Sequence, residues 1–288
     1  MVSFEDFRFI KMSGTGNTFL IIDNRKSAPH IFPESFKHLA KSEIARRLCS
    51  LHYGVGADGF VFIEDSRHLE NTFRWDFYNS DGSPAQMCGN ASRCVARYYY
   101  DFINNSEKKF SFESVAGDIQ VELLDDKKVQ VWMPAIQVYN MALELRMPDG
   151  SFSSFSHINT GVPHLVQELP DITRPSRLLE QSRALRGHHG LPAEGANVTY
   201  YSTLSSDEIS AITFERGVED FTLACGTGAV AAAYSYFVKT GLRWIKVKMP
   251  GGKLEVKFFE NSELPAMSGP AIYIAEFKVN SEALYVQS

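Results

Sequence analysis

Cys88 and Cys225 each stand directly before a glycine, in Met87-Cys88-Gly89-Asn90 and in Ala224-Cys225-Gly226-Thr227. Each pair follows a strand and a turn and opens a stretch that reads as a helix. The start of a helix has N–H groups with no intrahelical acceptor and carries about half a positive charge. A cysteine placed there has its thiolate favoured, with a pKa drawn below the usual ~8.5. The glycine that follows lets a ligand approach the backbone closely. The N–H groups of Gly89 and Asn90, and of Gly226 and Thr227, then form anion cradles. Two such cradles facing each other hold one α-carboxylate between them, with a sulfur on each side of the adjoining Cα. One thiolate removes the α-proton and the other thiol delivers a proton to the far face, while the helix starts meet the developing negative charge. Such chemistry needs no cofactor, and none is expected. For one Cys-Gly pair a buried structural thiol is the ordinary reading; two in matching contexts point to catalysis.

The elements that must carry these residues follow from hydrophobic pattern and turn signals. In the first half, strands are predicted over Phe7–Met12, Phe19–Asp23, Phe60–Glu64 and Phe73–Tyr78. A helix runs over Ser42–Leu51 with Ser42 as its N-cap, and another begins at Gly89. Strands follow at Phe110–Glu113, Asp118–Leu124 and Lys128–Met133. The second half repeats the rhythm with strands at Ser153–Asn159 and Leu165–Glu168, a helix at Leu178–Arg186, and strands at Val198–Thr203 and Ala211–Glu215. A small-residue helix covers Ala229–Val238. Strands at Trp244–Met249, Lys253–Phe259 and Ala271–Val279 close the chain, leaving 135–152 and 260–270 without an assigned element. The second Cys-Gly lies 137 residues after the first, near half of the 288-residue length. A repeat of that size predicts two similar domains rather than a solenoid, and the fold class is α+β.

Bulk properties narrow the function further. Hydrophobic residues make up 44% and charged residues 22% of the chain, so a sizeable core is expected and disorder is not. The formal net charge is −5 and no basic run stands out, which argues against a nucleic-acid partner. The apolar stretch Ala229–Val238 is too short to span a bilayer, and Met1–Met12 lacks the pattern of a signal peptide. A cytoplasmic protein with no membrane partner is expected, in which Cys49, Cys88, Cys94 and Cys225 are thiols. Their spacing gives no paired CxxC elements, so no metal site is expected. Gly14-Thr-Gly-Asn17 lacks the third glycine of a dinucleotide fingerprint.

Taken together, several segments resemble the diaminopimelate epimerase family over nearly the whole chain. They are Gly14-Thr-Gly-Asn17, Gly54-Val-Gly-Ala-Asp-Gly59, Phe77-Tyr-Asn-Ser-Asp-Gly-Ser83, Met87-Cys-Gly-Asn90 with Arg93-Cys94, Gly161-Val-Pro-His164, Asn197-Val198, Glu215-Arg-Gly217 and Ala224-Cys-Gly-Thr-Gly228. The resemblance implies interconversion of LL- and meso-2,6-diaminopimelate, on the route to lysine and cell-wall precursors. It implies Cys88 and Cys225 as the catalytic pair, with His164 and Glu215 tuning them. Gly89, Asn90, Gly226 and Thr227 resemble the α-carboxylate cradle. Asn17, Asn79, Asn197 and Arg216, with Glu215, resemble the polar lining that reads the amino groups and the distal carboxylate of a small-molecule amino acid. It further implies two pseudo-symmetric domains, each a mostly antiparallel, barrel-like sheet around a central helix. One would span 1–134 plus 272–288 with Cys88, the other 135–271 with Cys225, in a family-type homodimer.

The chain departs from the family pattern in places. Val162 stands where Asn is frequent, Ala91 where Gly is common, and Phe221 where an acidic residue is frequent; the turn from Arg216 to Cys225 is one residue longer than in some members. These departures bear on the substrate more than on the reaction. Three other readings stay open here: a proline or hydroxyproline racemase or a racemase of another diamino acid, an isomerase of the phenazine-biosynthesis type, which lacks the cysteine pair, and a non-catalytic amino-acid-binding protein.

Overall fold

The computed structural model describes residues 8–28, 36, 38–147 and 149–284. The chain divides into two compact units, Met1–Val131 with Pro270–Ser288, and Trp132–Gly269.

In the first unit, β1 (Arg8–Gly14), β2 (Asn17–Asp23), β3 (Gly59–Glu64), β4 (Arg74–Asn79), β5 (Lys109–Ser114), β6 (Gly117–Leu123) and β7 (Lys128–Trp132) are joined by the last strand, β17 (Ile272–Lys278). Phe7, the predicted start of the first strand, lies outside the described residues. Pairing runs β17–β1–β2–β3–β4–β5–β6–β7, antiparallel throughout except β2–β3 and β4–β5. In the second unit the strands are β8 (Gln137–Arg146), β9 (Phe152–Asn159), β10 (Pro163–Glu168), β11 (Asn197–Thr203), β12 (Glu208–Glu215), the two-residue β13 (Asp220–Phe221), β14 (Trp244–Met249), β15 (Gly252–Phe259) and β16 (Ser262–Pro270). Here the pairing runs β8–β9–β10–β11–β12–β14–β15–β16, parallel only at β10–β11 and β12–β14. The two units therefore share one order and sense of strand pairing, with β17 of the first in the place of β8 of the second, in a mixed α+β fold that is mostly antiparallel.

Helices cover both faces of each sheet, which explains why β2 and β3 carry the continuous apolar runs of residues 19–22 and 60–63 rather than alternations. In the first unit, α1 (Lys41–Leu48) buries Ile44, Ala45 and Leu48 in a cluster with Phe60 and Phe62 of β3. Successive strand residues point to opposite faces, so Val61 and Ile63 turn to the other side, where α2 (Gly89–Phe102) packs on β1, β2, β3 and β6. In the second unit, α3 (Leu179–Arg186) sets Leu185 against Val198, Tyr200, Ile212 and Phe214. α4 (Gly226–Thr240) lies against β9–β12, β14 and β15 and ends on Gly241 at φ 77°, a left-handed cap suited to glycine.

Several sequence expectations are corrected. The first helix begins at Lys41, with Ala40 as a cap lacking any side-chain bond, so Ser42 is not the N-cap. Lys41 ties this helix start to Glu64 and Asp76, and the Ser42 carbonyl packs against Gly82. The helix stops at Leu48 rather than Leu51, because the chain folds back and the Val55 N–H takes the Leu48 carbonyl at 2.8 Å. β10 starts at Pro163, two residues before the predicted Leu165, and the small-residue helix starts at Gly226, three residues earlier than predicted. β8 and β16 occupy the stretches left unassigned: β8 is largely exposed and alternates weakly, and β16 contains Pro265 and Pro270, ordinarily strand breakers.

Candidate active site

In both units the residues of interest gather at one edge of the sheet. That edge holds the N-terminal ends of a parallel strand pair, the C-terminal end of the next strand, and the start of a buried helix.

In the first unit, Cys88 is the N-cap of α2, in extended conformation with φ −147° and ψ 116°. It is half-buried and its thiol is free of disulfide. The first intrahelical bond runs from the Ser92 N–H to the Cys88 carbonyl at 2.9 Å, so the N–H groups of Gly89 and Asn90 precede it. The β1–β2 hairpin turns over this helix start through Thr15 and Gly16, at φ 58° and 92°. The hairpin sits so close that a Cβ on Gly14 would lie 2.6 Å from the Asn90 carbonyl oxygen; only glycine fits there. Asn17 follows the turn, and its Oδ1 accepts from Asn90 Nδ2 at 3.4 Å. Asn79, exposed at the end of β4, donates from Nδ2 to Ser83 Oγ at 3.0 Å. Backbone bonds Asp58 N–H to Thr18 O at 2.9 Å and Ser80 N–H to Asp58 O at 3.0 Å link the Asn17 and Asn79 strand ends.

In the second unit, Cys225 is the N-cap of α4, again extended, with φ −114° and ψ 112°. It is more enclosed than Cys88, at 6% exposure. The Gly228 N–H donates to its Sγ at 3.4 Å, and Thr227 Oγ1 lies 3.3 Å away. The thiol also acts electrostatically on Glu215, at the end of β12. The Glu215 carboxyl accepts from Thr222 Oγ1. Burial pushes the Glu215 pKa up, against the opposing pull of Thr222 and Cys225. Register places Glu215 next to the Val198–Phe214 pair, the position that Asn79 takes in the first unit opposite Gly59.

His164 is fully buried and lies between hydroxyls, with Nε2 3.0 Å from Thr227 Oγ1 and Nδ1 2.9 Å from Thr199 Oγ1. Thr199 Oγ1 in turn is 3.0 Å from Thr213 Oγ1. Within this unit Thr227 thus links His164 to Cys225. Desolvation, helped by the Arg216 charge, pulls the His164 pKa down to about 3, so the ring is neutral at working pH. Asn197 Oδ1 accepts the Arg216 N–H at 2.9 Å, and Arg216 Nη1 donates to the Glu194 carbonyl at 3.1 Å. Glu215, Asn197, His164 and the start of α4 therefore form one cluster, and the backbone bond to Asn197 anchors Arg216 beside it.

Pattern reading missed Thr199, Thr213, Thr222 and Arg93. The threonines lie on or beside buried strands, where a β-branched residue reads simply as a strand former. Arg93 belongs to the Arg93-Cys94 segment, to which the sequence alone assigns no role. Among the described residues, no group of three or more His, Cys, Asp or Glu side chains is placed to hold a metal ion. No described helix is long and apolar enough to cross a membrane.

A sequence model of the diaminopimelate epimerase family matches residues 9–138 and 156–274. The diaminopimelate epimerase of Aquifex aeolicus (strain VF5) is 36% identical over 283 residues, covering 96% of this chain and 99% of that relative. That of Hydrogenobaculum sp. (strain Y04AAS1) is 38% identical over 230 residues, covering 79% and 82% respectively. Among solved structures, a hydroxyproline epimerase from Agrobacterium vitis with bound trans-4-hydroxy-L-proline superposes with a TM-score of 0.69 at 14% identity, over 97% of this chain and 94% of that one. At that identity the likeness is one of fold.

Proposed function

The chain belongs to the diaminopimelate epimerase family, a family of isomerases, and from that premise we propose that it interconverts LL- and meso-2,6-diaminopimelate with Cys88 and Cys225 as paired base and acid. The observation that carries this reading is that both cysteines are N-caps of corresponding helices in two units with the same order of strand pairing. Inversion at a carbon requires one group to take a proton from one face and another to give a proton to the opposite face. A matched pair of thiols at matched helix starts suits both directions of the reaction.

In one direction the Cys225 thiolate takes the α-proton while the Cys88 thiol protonates the far face of the carbanion. In the other the roles exchange. Glu215, coupled to the Cys225 thiol and made more basic by burial, is the group to receive and return that thiol's proton. His164 stays neutral and orients the Thr227 hydroxyl beside Cys225. The N–H groups of Gly89, Asn90, Gly226 and Thr227 meet the charge that develops on the α-carboxylate. Such preorganised donors stabilise a transition state by several kcal/mol, about 3–4 for one oxyanion donor in a measured case. Asn17, Asn79, Asn197 and Arg216 read the amino groups and the distal carboxylate, for which a guanidinium and amides are the fitting chemistry. Neither step calls for a cofactor. The free thiols suit a reducing, cytoplasmic setting, and the family likeness alone supports a homodimer.

Assay of LL-diaminopimelate beside L-proline and trans-4-hydroxy-L-proline tests the substrate. Turnover of the diamino acid only is the expected result. Turnover confined to the cyclic amino acids would reassign the specificity.

A further inference from the structure

We propose that Arg93 is a positioning residue for the reaction, a buried cation that balances the negative charge gathered at the start of α2 and so makes Cys88 the thiolate of the resting enzyme. The proposal rests on the two-thiol reading above.

Arg93 is the fifth residue of α2 and is fully buried. Side chains of a helix lean toward its N-terminus, and this one folds back onto the first turn. Nη1 donates to the Gly89 carbonyl at 3.2 Å and Nη2 to Asn90 Oδ1 at 2.8 Å. Nη2 also donates to Thr15 Oγ1 at 2.6 Å, and Nε to the Pro270 carbonyl at 3.3 Å. Every one of these acceptors is neutral, and among the described residues no carboxylate pairs with Arg93. A buried charge without a counter-ion is costly, and a guanidinium does not escape the cost by losing its proton at working pH.

Among the described residues, the titratable groups that act on Arg93 are Cys94 and Cys88. Cys94 is wholly buried, and its pKa is pushed up to about 12 by desolvation, against the pull of Arg93 and Arg97; it stays a thiol. Cys88 is left as the group whose ionisation satisfies the cation, and the carboxylate of a substrate at the same helix start would do so in turn. Two of the bonds also shape the cradle, since they hold Thr15 in its left-handed turn and fix the Asn90 side chain.

The other unit lacks this device. Val230 takes the corresponding place, five residues after Cys225, and the Glu215 carboxyl is coupled to the thiol there instead. Shared topology thus carries opposite electrostatics, a cation behind one sulfur and a carboxyl beside the other.

Peptide-resolved alkylation of the full-length protein across pH 5–10 tests the assignment, with Arg93→Met and Arg93→Lys beside the wild type. The wild-type Cys88 midpoint is expected below ~8.5 and below that of Cys225. Arg93→Met should raise it by about one unit or more, and Arg93→Lys should recover part of the shift. The Cys225 midpoint should not move. The acid limb of kcat/KM should shift upward with Cys88, a change that loss of packing alone would not produce. An unmoved Cys88 midpoint in Arg93→Met overturns the proposal. So does a wild-type midpoint at or above the ordinary thiol value, which is decisive even if neither variant folds. Full activity in Cys88→Ser would instead remove the two-thiol reading and leave the labelling result standing.

Discussion

His164 illustrates how far the role of a side chain depends on what surrounds it. A histidine beside a reactive thiol suggests a titrating base, because its ordinary pKa lies near neutrality. Here the ring is enclosed between Thr227 and Thr199 and is held neutral, so it orders hydroxyls rather than shuttling charge. Its depressed pKa has a consequence for stability. In the unfolded chain the ring binds a proton below about pH 6.5, whereas in the native state it does so only near pH 3. The unfolded state therefore takes up the extra proton as pH falls through that window, and stability drops. From pH 6.5 to 5 the loss amounts to about 2 kcal/mol. Urea unfolding of the wild type and His164→Gln at both values should show this part of the acid sensitivity missing from the variant. Equal losses in the two proteins would contradict the neutral, buried ring.

At the scale of elements, the cradles depend on close approach between a helix start and neighbouring strands, and two glycines permit it. A Cβ on Gly14 would meet the Asn90 carbonyl oxygen at 2.6 Å, and one on Gly228 would meet Thr213 Oγ1 at 2.2 Å. Gly14→Ala and Gly228→Ala should each destabilise their unit by about 1–3 kcal/mol through overpacking. Gly187→Ala, where a Cβ meets nothing within 4 Å, should be neutral or slightly stabilising in the same thermal melts. Equal Tm values for all three would show that the approach is not tight.

The same elements show what was legible in the sequence. A strand buried on both faces, such as β3, announces itself as an unbroken apolar run, and the paired Cys-Gly starts of α2 and α4 were readable because the motif occurs twice. β8 was hidden because exposed residues on both faces erase the two-residue period, and β16 because proline and glycine within it read as turn residues. The Thr227–His164–Thr199–Thr213 chain was not readable. It is assembled from β10, β11, β12 and α4, across sequence separations that no local pattern records.

For the whole molecule, the repetition of one topology with different side chains at equivalent places accounts for a pair of thiols with unlike surroundings. Asn79 and Glu215 share a position, as do Asn90 and Thr227, and Arg93 and Val230. All proton traffic in the proposed reaction runs through side chains of the chain itself. Activity should therefore survive exhaustive chelation and the absence of any added pyridoxal phosphate; a strict requirement for either a metal or the coenzyme, restored by adding it back, would contradict the mechanism. The central claim is that both sulfurs exchange protons with one stereocentre. Its most direct test is incorporation of solvent deuterium at the α-carbon of LL-diaminopimelate, followed by mass spectrometry and proton NMR in the wild type, Cys88→Ser and Cys225→Ser. The wild type should place deuterium at the inverted centre, and inversion should be lost in both variants, falling by at least about a hundredfold. Undiminished inversion with deuterium uptake in either variant would contradict the account.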